Sequence, residues 1–399
     1  MVEAGALRKI WRRVKTYRRR LTIAGLIGII GVALLTRTLA ATYVSHSEAE
    51  AGQIAGQASL QSGSGASGGT VVKFGTTGTP PSDDTGRTVQ VANSDQLTAA
   101  IADARPGDTI QLADGTYSGK LAVGKYSGSF AIVKSGTASA PIKLTGSRNA
   151  IIDGGGPSGR YGLYIANASY WNISGITITN ASKGVVLDGS SHVVLDAVRV
   201  YAVGDEAVHF RAFSSDNLIK NSIIEKTGVK QPQYGEGVYI GSAKSNWGTH
   251  SNGNPDKSDR NQVINNTISN TSAENIDVKE GSSGGLISGN RFDGVGMAGE
   301  NYADSWIDAK GNGYTISDNT AVVSGPAVFQ DGFQVHQALA GWGNDNVFRN
   351  NKMDLNNAPG YGFYLQKGVT GNILKCDNIV TGAKSGFAVL NTSAVTCNP

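Results

Sequence analysis

From Val208 onward the chain repeats one short pattern of apolar and polar positions. Ile276 and Val278 alternate with Asn275, Asp277 and Lys279, and a period of two puts the first pair on one face and the other three on the opposite face. The same alternation sets Val208 and Phe210 around His209, and Val238 and Ile240 around Tyr239. It returns with Ile307 and Ala309 around Asp308, and Phe333 and Val335 around Gln334. Each segment reads as a short strand with an apolar inner face and a polar outer one.

A second strand recurs between these, marked by a polar residue two positions before an apolar one: Asp196, Asn221, Asn266, Asn290, Asn319 and Asn351. Neighbouring positions are 24 to 32 residues apart except for one step of 45, from Asn221 to Asn266. A fixed strand pattern with variable unit length describes stacked coils whose loops differ, a parallel β-helix, whereas a β-propeller needs a more regular period and four strands per blade. An Asn once per unit suits a stacked turn, because its amide can bond both the backbone and the same residue above and below. The long step implies an insertion over 242–260, polar and turn-rich, that overhangs one face. Its Trp247 is suited either to stacking on a sugar ring or to pinning the loop.

Residues 88–146 read as the opening of this solenoid. Leu97, Ala100, Ile101 and Ala104 share one face of a helix over 95–104, with Asn93 or Ser94 as its cap and Pro106-Gly107 ending it. Such an amphipathic plug covers the core and strand edges that the open end of a solenoid would expose. The chain is thus all-β, with a single-stranded solenoid over 88–399 and an N-terminal capping helix.

Composition sharpens the ends of the chain. Glycine is abundant, at 54 of 399 residues, as expected for many turns and few helices. The net charge of +4 is misleading: residues 1–41 hold nine Lys and Arg against Glu3, so of the 35 basic and 31 acidic side chains 26 and 30 remain. A nucleic-acid-binding surface is therefore not expected. The basic run from Arg8 to Arg20 precedes an apolar run from Leu21 to Leu35, so residues 1–44 read either as a signal peptide cut near Ala40-Ala41 or as a membrane anchor with its basic end inside. Both readings place the remainder outside the cytoplasm, secreted or held at the cell surface. Residues 45–87, rich in Gly, Ser, Thr and Ala, read as a linker, although 72–75 and the segments before it resemble the opening strands of a β-sandwich carbohydrate-binding module. Cys376 and Cys397 are expected to form a disulfide in an exported chain.

Stacking the coils gives columns on the outer face. One column reads Val186, His209, Tyr239, Asp277, Asp308, Gln334, Tyr364, and two positions on another reads Asp188, Arg211, Gly241, Lys279, Lys310, His336, Gln366. Adjacent parallel strands lie about 4.8 Å apart, so neighbours in a column touch. Asp277 beside Asp308 is unfavourable without a cation between them. With Glu236 and Glu274 from the strand entrances, the two form a candidate oxygen-ligand set for Ca²⁺. Otherwise Lys279 and Lys310 simply neutralise the acids in a surface ladder.

The opening motifs Pro106-Gly107-Asp108-Thr109-Ile110-Gln111-Leu112, Gly115-Thr116-Tyr117 and Ala140-Pro141-Ile142-Lys143-Leu144 resemble those of pectate-lyase-like right-handed β-helix proteins. Within that group, the segment from Glu274 to Lys279 resembles the chondroitin-B and alginate lyase family. The resemblance implies a right-handed helix, a glutamate (Glu274) on calcium and a lysine five residues later (Lys279) as base. It departs in the following coil, where Lys310 stands in place of that family's arginine.

These residues imply β-elimination on an acidic, uronate-containing polysaccharide by a monomeric enzyme. Lys279 would abstract the proton, with its pKa lowered by Lys310 and calcium. Lys310, Arg211 or His336 would neutralise the substrate carboxylate, and Tyr239 or His209 would protonate the leaving oxygen. A glycoside hydrolase with two opposed carboxylates is the first rival, weakened because the sole adjacent Asp pair, Asp83-Asp84, lies in the linker. A non-catalytic carbohydrate-binding or adhesion β-helix is the second.

Overall fold

The computed structural model describes residues 58–62, 70–74 and 86–398. The chain divides into two units, residues 1–82 and 83–399. In the first, Ala58–Ser62 and Thr70–Phe74 pair antiparallel, so the stretch read as linker contains a strand pair. The basic and apolar segment over 1–44 lies outside the described residues. Among the described residues no helix is long and apolar enough to cross a membrane.

The second unit is a right-handed parallel β-helix. Its three sheets hold twelve, eleven and ten strands, and through the body of each the strands follow one another in chain order at intervals of three. One coil runs Val208–Arg211, Leu218–Lys220, Ile223–Glu225, and the next begins at Val238–Ile240. Register holds without slippage along the first sheet, where Val208, Val238, Ile276, Ile307, Phe333 and Phe363 pair in succession. All six are fully buried in one core column. A slip of one residue would bring the charged set inside and the core set out, and this fixes the register.

The capping helix is Ser94–Ala102, with Asn93 as N-cap accepting from Gln96 N and Leu97, Ala100 and Ile101 buried. At the other end Cys376 and Cys397 form the disulfide. Inside one bend runs the asparagine ladder: Asn266, Asn290, Asn319, Asn351 and Asn378 each pass an amide hydrogen bond to the next at 2.8–3.0 Å. The expected ladder needs correction at its start. Ser222, not Asn221, stands in register, its N–H donating to Asn266 Oδ1; Asn221 donates outward to Asp196. Neither Asp196 nor Asn221 belongs to the ladder, because Val200 and Ile224 stand in register with Ile268, and the positions two before them are Val198 and Ser222.

Candidate active site

The polar face of the first sheet carries the candidate site. His209, Tyr239, Asp277, Asp308, Gln334 and Tyr364 stand in one column, each paired with the next. Just past the strand ends, the N–H groups of Lys279, Lys310 and His336 donate to Ile240, Val278 and Ala309 of the preceding coils, so these three side chains stack as well. Gly241 interrupts that second column next to Lys279. Its φ of +80° suits glycine, and a Cβ there would meet the Lys279 Cβ at 3.6 Å.

The structure brings three of the four expected metal ligands together. Oxygens of Glu236, Glu274 and Asp277, all buried, lie within 4.8 Å of one another. Burial, then the charges of Glu206 and Asp277, push the Glu236 carboxyl up to about 8. Burial and Asp277 raise Glu274 well above the carboxylate range. Asp308 is a correction: it stands outside this group, bound to Lys310 at 2.5 Å and to His336 Nδ1 at 2.8 Å. Burial works against its charge, but Lys310 and His336 hold its pKa low. Three buried carboxylates that repel one another, all hard oxygen donors, fit a divalent cation.

Lys279 pairs with Asp277, and its Nζ lies 4.9 Å from the centre of the Tyr239 ring. Burial alone would lower its pKa, yet Asp277, Glu274 and Glu236 outweigh burial and raise it. The expected depression by Lys310 is not met, since Lys310 is itself neutralised by Asp277 and Asp308. Burial, Asp277 and Glu236 raise Tyr239 well above the usual phenol value, so it stays a proton donor.

Two further expectations change. Arg211 is 3% exposed, and its Nε and Nη2 bind Asp188 at 2.6 and 3.1 Å. Its bidentate pair and its place beneath the Tyr126 ring, 4.8 Å from the centroid, remove it from any substrate carboxylate. His209 is held at both nitrogens, by Glu206 at 2.6 Å and Gly241 O at 2.9 Å, which uses up its donors. Trp247 is buried and donates to Ser242 O; it pins the insertion and offers no face to a sugar.

Two cavities run along the sheet and share Lys279 and Asn301. One, about 530 Å³, lies over Asp277, Lys310, His336 and Gln366. The other, about 680 Å³, lies over His209, Tyr239, Glu236 and Tyr126. Sequence reasoning missed Lys183, which pairs with Glu206 and Asp205 on the floor of the second cavity. It stands two residues before Val185–Asp188, as Glu206, Glu236 and Glu274 stand before their strands, so extending that column one coil back would have found it. Asn301 and Tyr302, both with positive φ (57° and 63°), lie in a loop that no periodicity marks.

Comparison with known proteins places this geometry. A family model described as "Pel9A-like, right handed beta helix region" matches residues 77–227. The solved structure of an alginate lyase from Paenibacillus sp. str. FPU-7 is 38% identical, aligns over 76% of this chain and 99% of its own, and gives a TM-score of 0.70. Pectate lyase Pel9A is 15% identical over 78% of this chain and 79% of its own, at 0.54. A lacto-N-biosidase from Eubacterium ramulus is 10% identical over 76% and 67%, at 0.51; these last two share the fold alone. No curated protein matches the sequence.

Proposed function

The chain belongs to the same family of right-handed β-helix polysaccharide lyases as the Paenibacillus enzyme, and from that premise we propose that it cleaves a uronate-containing polysaccharide, with alginate the first candidate, by β-elimination at Lys279. The observation that carries this reading is the position of Lys279. It stands where the two cavities meet, between Tyr239 and a buried group of three carboxylates.

In such a reaction the C5–H bond of the uronate breaks, and its electron pair forms the C4–C5 double bond as the C4–O bond breaks. The leaving oxygen keeps the C4–O electron pair and takes a proton. The amine of Lys279 takes the C5 proton, and the phenol of Tyr239, beside it, donates to the leaving oxygen. His336, whose pKa is raised by Asp308 against the effect of burial, lends positive charge toward the substrate carboxylate together with Lys310. A Ca²⁺ ion held by Glu236, Glu274 and Asp277 would supply charge that neutralises the substrate carboxylate and offsets the acids now keeping Lys279 protonated. Lys310, Asp308 and His336 fix the orientation of this wall by their mutual ion pairs. The enzyme works as a monomer outside the cytoplasm, exported through residues 1–44.

The test is incubation of the full chain with alginate, pectate, chondroitin and dermatan, with and without a chelator, following the ultraviolet absorbance of the unsaturated uronate. Absorbance on at least one polymer supports elimination. Cleavage that yields only saturated ends would assign a hydrolase instead.

A further inference from the structure

The cleft is not the same at its two ends. Toward the C-terminal coils the outer face remains polar through Gln334, Tyr364 and Gln366. Toward the N-terminal coils it becomes apolar: Ala131, Tyr161, Tyr164, Ala166 and Val186 form a separate buried cluster on the outside of the sheet. The hairpin of Leu121–Val123 and Tyr126–Ile132 ends this sheet, and its Leu121, Val123 and Tyr126 pack on the cluster. Four coil steps, about 19 Å at ~4.8 Å each, separate the strand bearing Tyr164 from the one leading to Lys279.

A second element meets that hairpin. The insertion leaves the sheet after Val238–Ile240 and turns through the short helix Trp247–His250. It reaches back far enough for the His250 ring to stack on Tyr126, with centroids 6.2 Å apart. It is rigid for identifiable reasons. Trp247 is buried within it, and Asp256, fully buried, accepts from the N–H groups of Ala212 and Phe213 at 2.9 and 2.8 Å. Burial, and then the nearby charge of Arg211, lowers the pKa of His250 to about 4. Arg211 in turn supports Tyr126 from its clamp with Asp188 and Tyr161.

We propose that the Tyr126 hairpin and the His250 arm of the insertion together wall off the N-terminal end of the cleft, so that only a few sugar units fit between Lys279 and the wall. This rests on the lyase reading of Lys279. The cavity on that side is lined by both Tyr126 and His250, and it reaches Lys279 at its other end. The polysaccharide then enters from the open, C-terminal side and is cut a fixed short distance from its end. Arg211 is a positioning residue in this device, holding Tyr126 in place.

The experiment is a time course on sodium alginate, or whichever polymer gives ultraviolet absorbance, reading product length by mass spectrometry and polymer length by viscosity. The wild-type chain should release short unsaturated products of one narrow size from the first per cent of conversion, with viscosity falling slowly per bond cut. His250→Ala, and the double variant with Tyr126→Ala, should broaden the sizes and steepen the viscosity loss per bond several-fold. His250 sits on an exposed arm, so His250→Ala keeps the test available if the double variant melts early. A broad ladder from the wild type at early times, or variants whose products match a narrow wild-type pattern, would overturn the wall. Absence of unsaturated product on every polyuronate would instead sink the reading on which the wall depends.

Discussion

Lys310 Nζ lies 2.9 Å from Asp277 Oδ1 in the preceding coil and 2.5 Å from Asp308 in its own. One ammonium thus holds two buried carboxylates apart, and it does so where the column of outer residues would otherwise place like charges face to face. The arrangement leaves Asp277 oriented toward Glu236 and Glu274 and leaves Lys279 as the amine nearest Tyr239.

Removing that ammonium should cost stability more than any exposed charge would. Lys310→Met is expected to lower the unfolding free energy by roughly 1–3 kcal/mol, because it takes one of two cations from each of two buried carboxylates and leaves Asp277 with Lys279 and Asp308 with His336. Urea denaturation of the variant and the wild type measures this. A loss under about 0.5 kcal/mol would mean that Lys279 and His336 alone suffice for Asp277 and Asp308.

Cation binding should depend on pH in a definite direction. Glu236 is raised to about 8 in the folded chain, against about 4.3 for a free glutamate. Between those values the unfolded state gives up its proton first, so this group makes the folded state less stable as pH rises. Ca²⁺ binding must release that proton, so affinity should climb from pH 5 to pH 8 and level off above. Calorimetry in buffers of different ionisation enthalpy reads both affinity and proton release, and Ca²⁺ at 100 times its Kd should stabilise the chain by about 2.7 kcal/mol. Glu274→Gln should lose both effects. Affinity that falls with pH would contradict the site.

The asparagine ladder offers a test of the fold independent of chemistry. Asn319 donates to Asn351 Oδ1 and Ile287 O and accepts from Asn290. Asn319→Ala leaves buried donors and a carbonyl without partners, at about 1–3 kcal/mol for each. Asn221→Gly, on the exposed side of its turn and at a φ of +52° that glycine accepts, should change stability by less than about 0.5 kcal/mol. Equal losses at the two positions would contradict the register.

Much of the fold was legible because its signals are periodic. The alternation around His209, Tyr239, Asp277 and Asp308 gave the sheet and its columns, and the same register is seen strand by strand. The ladder was misplaced in its first two coils because Val198 and Ser222 stand in its positions there, and neither carries a distinctive pattern. The site was legible as a set of residues but less so as a set of partners. Arg211 and Lys310 are both cations in one column, and only packing shows that Asp188 and Tyr126 consume the first. The sign of the shift on Lys279 depended on three carboxylates converging from two coils, which no single strand displays. His250 reaches Tyr126 across 124 positions of chain, a contact made by a loop and so invisible to periodicity.

The central claim is that the amine of Lys279 takes the proton. The most direct measurement is the initial rate of ultraviolet absorbance on the cleaved polymer for the wild type and Lys279→Ala, at matched folding by circular dichroism. The account predicts a fall of about 10²- to 10⁴-fold in kcat with KM little changed. A Lys279→Ala enzyme that keeps its rate within a few-fold would contradict it.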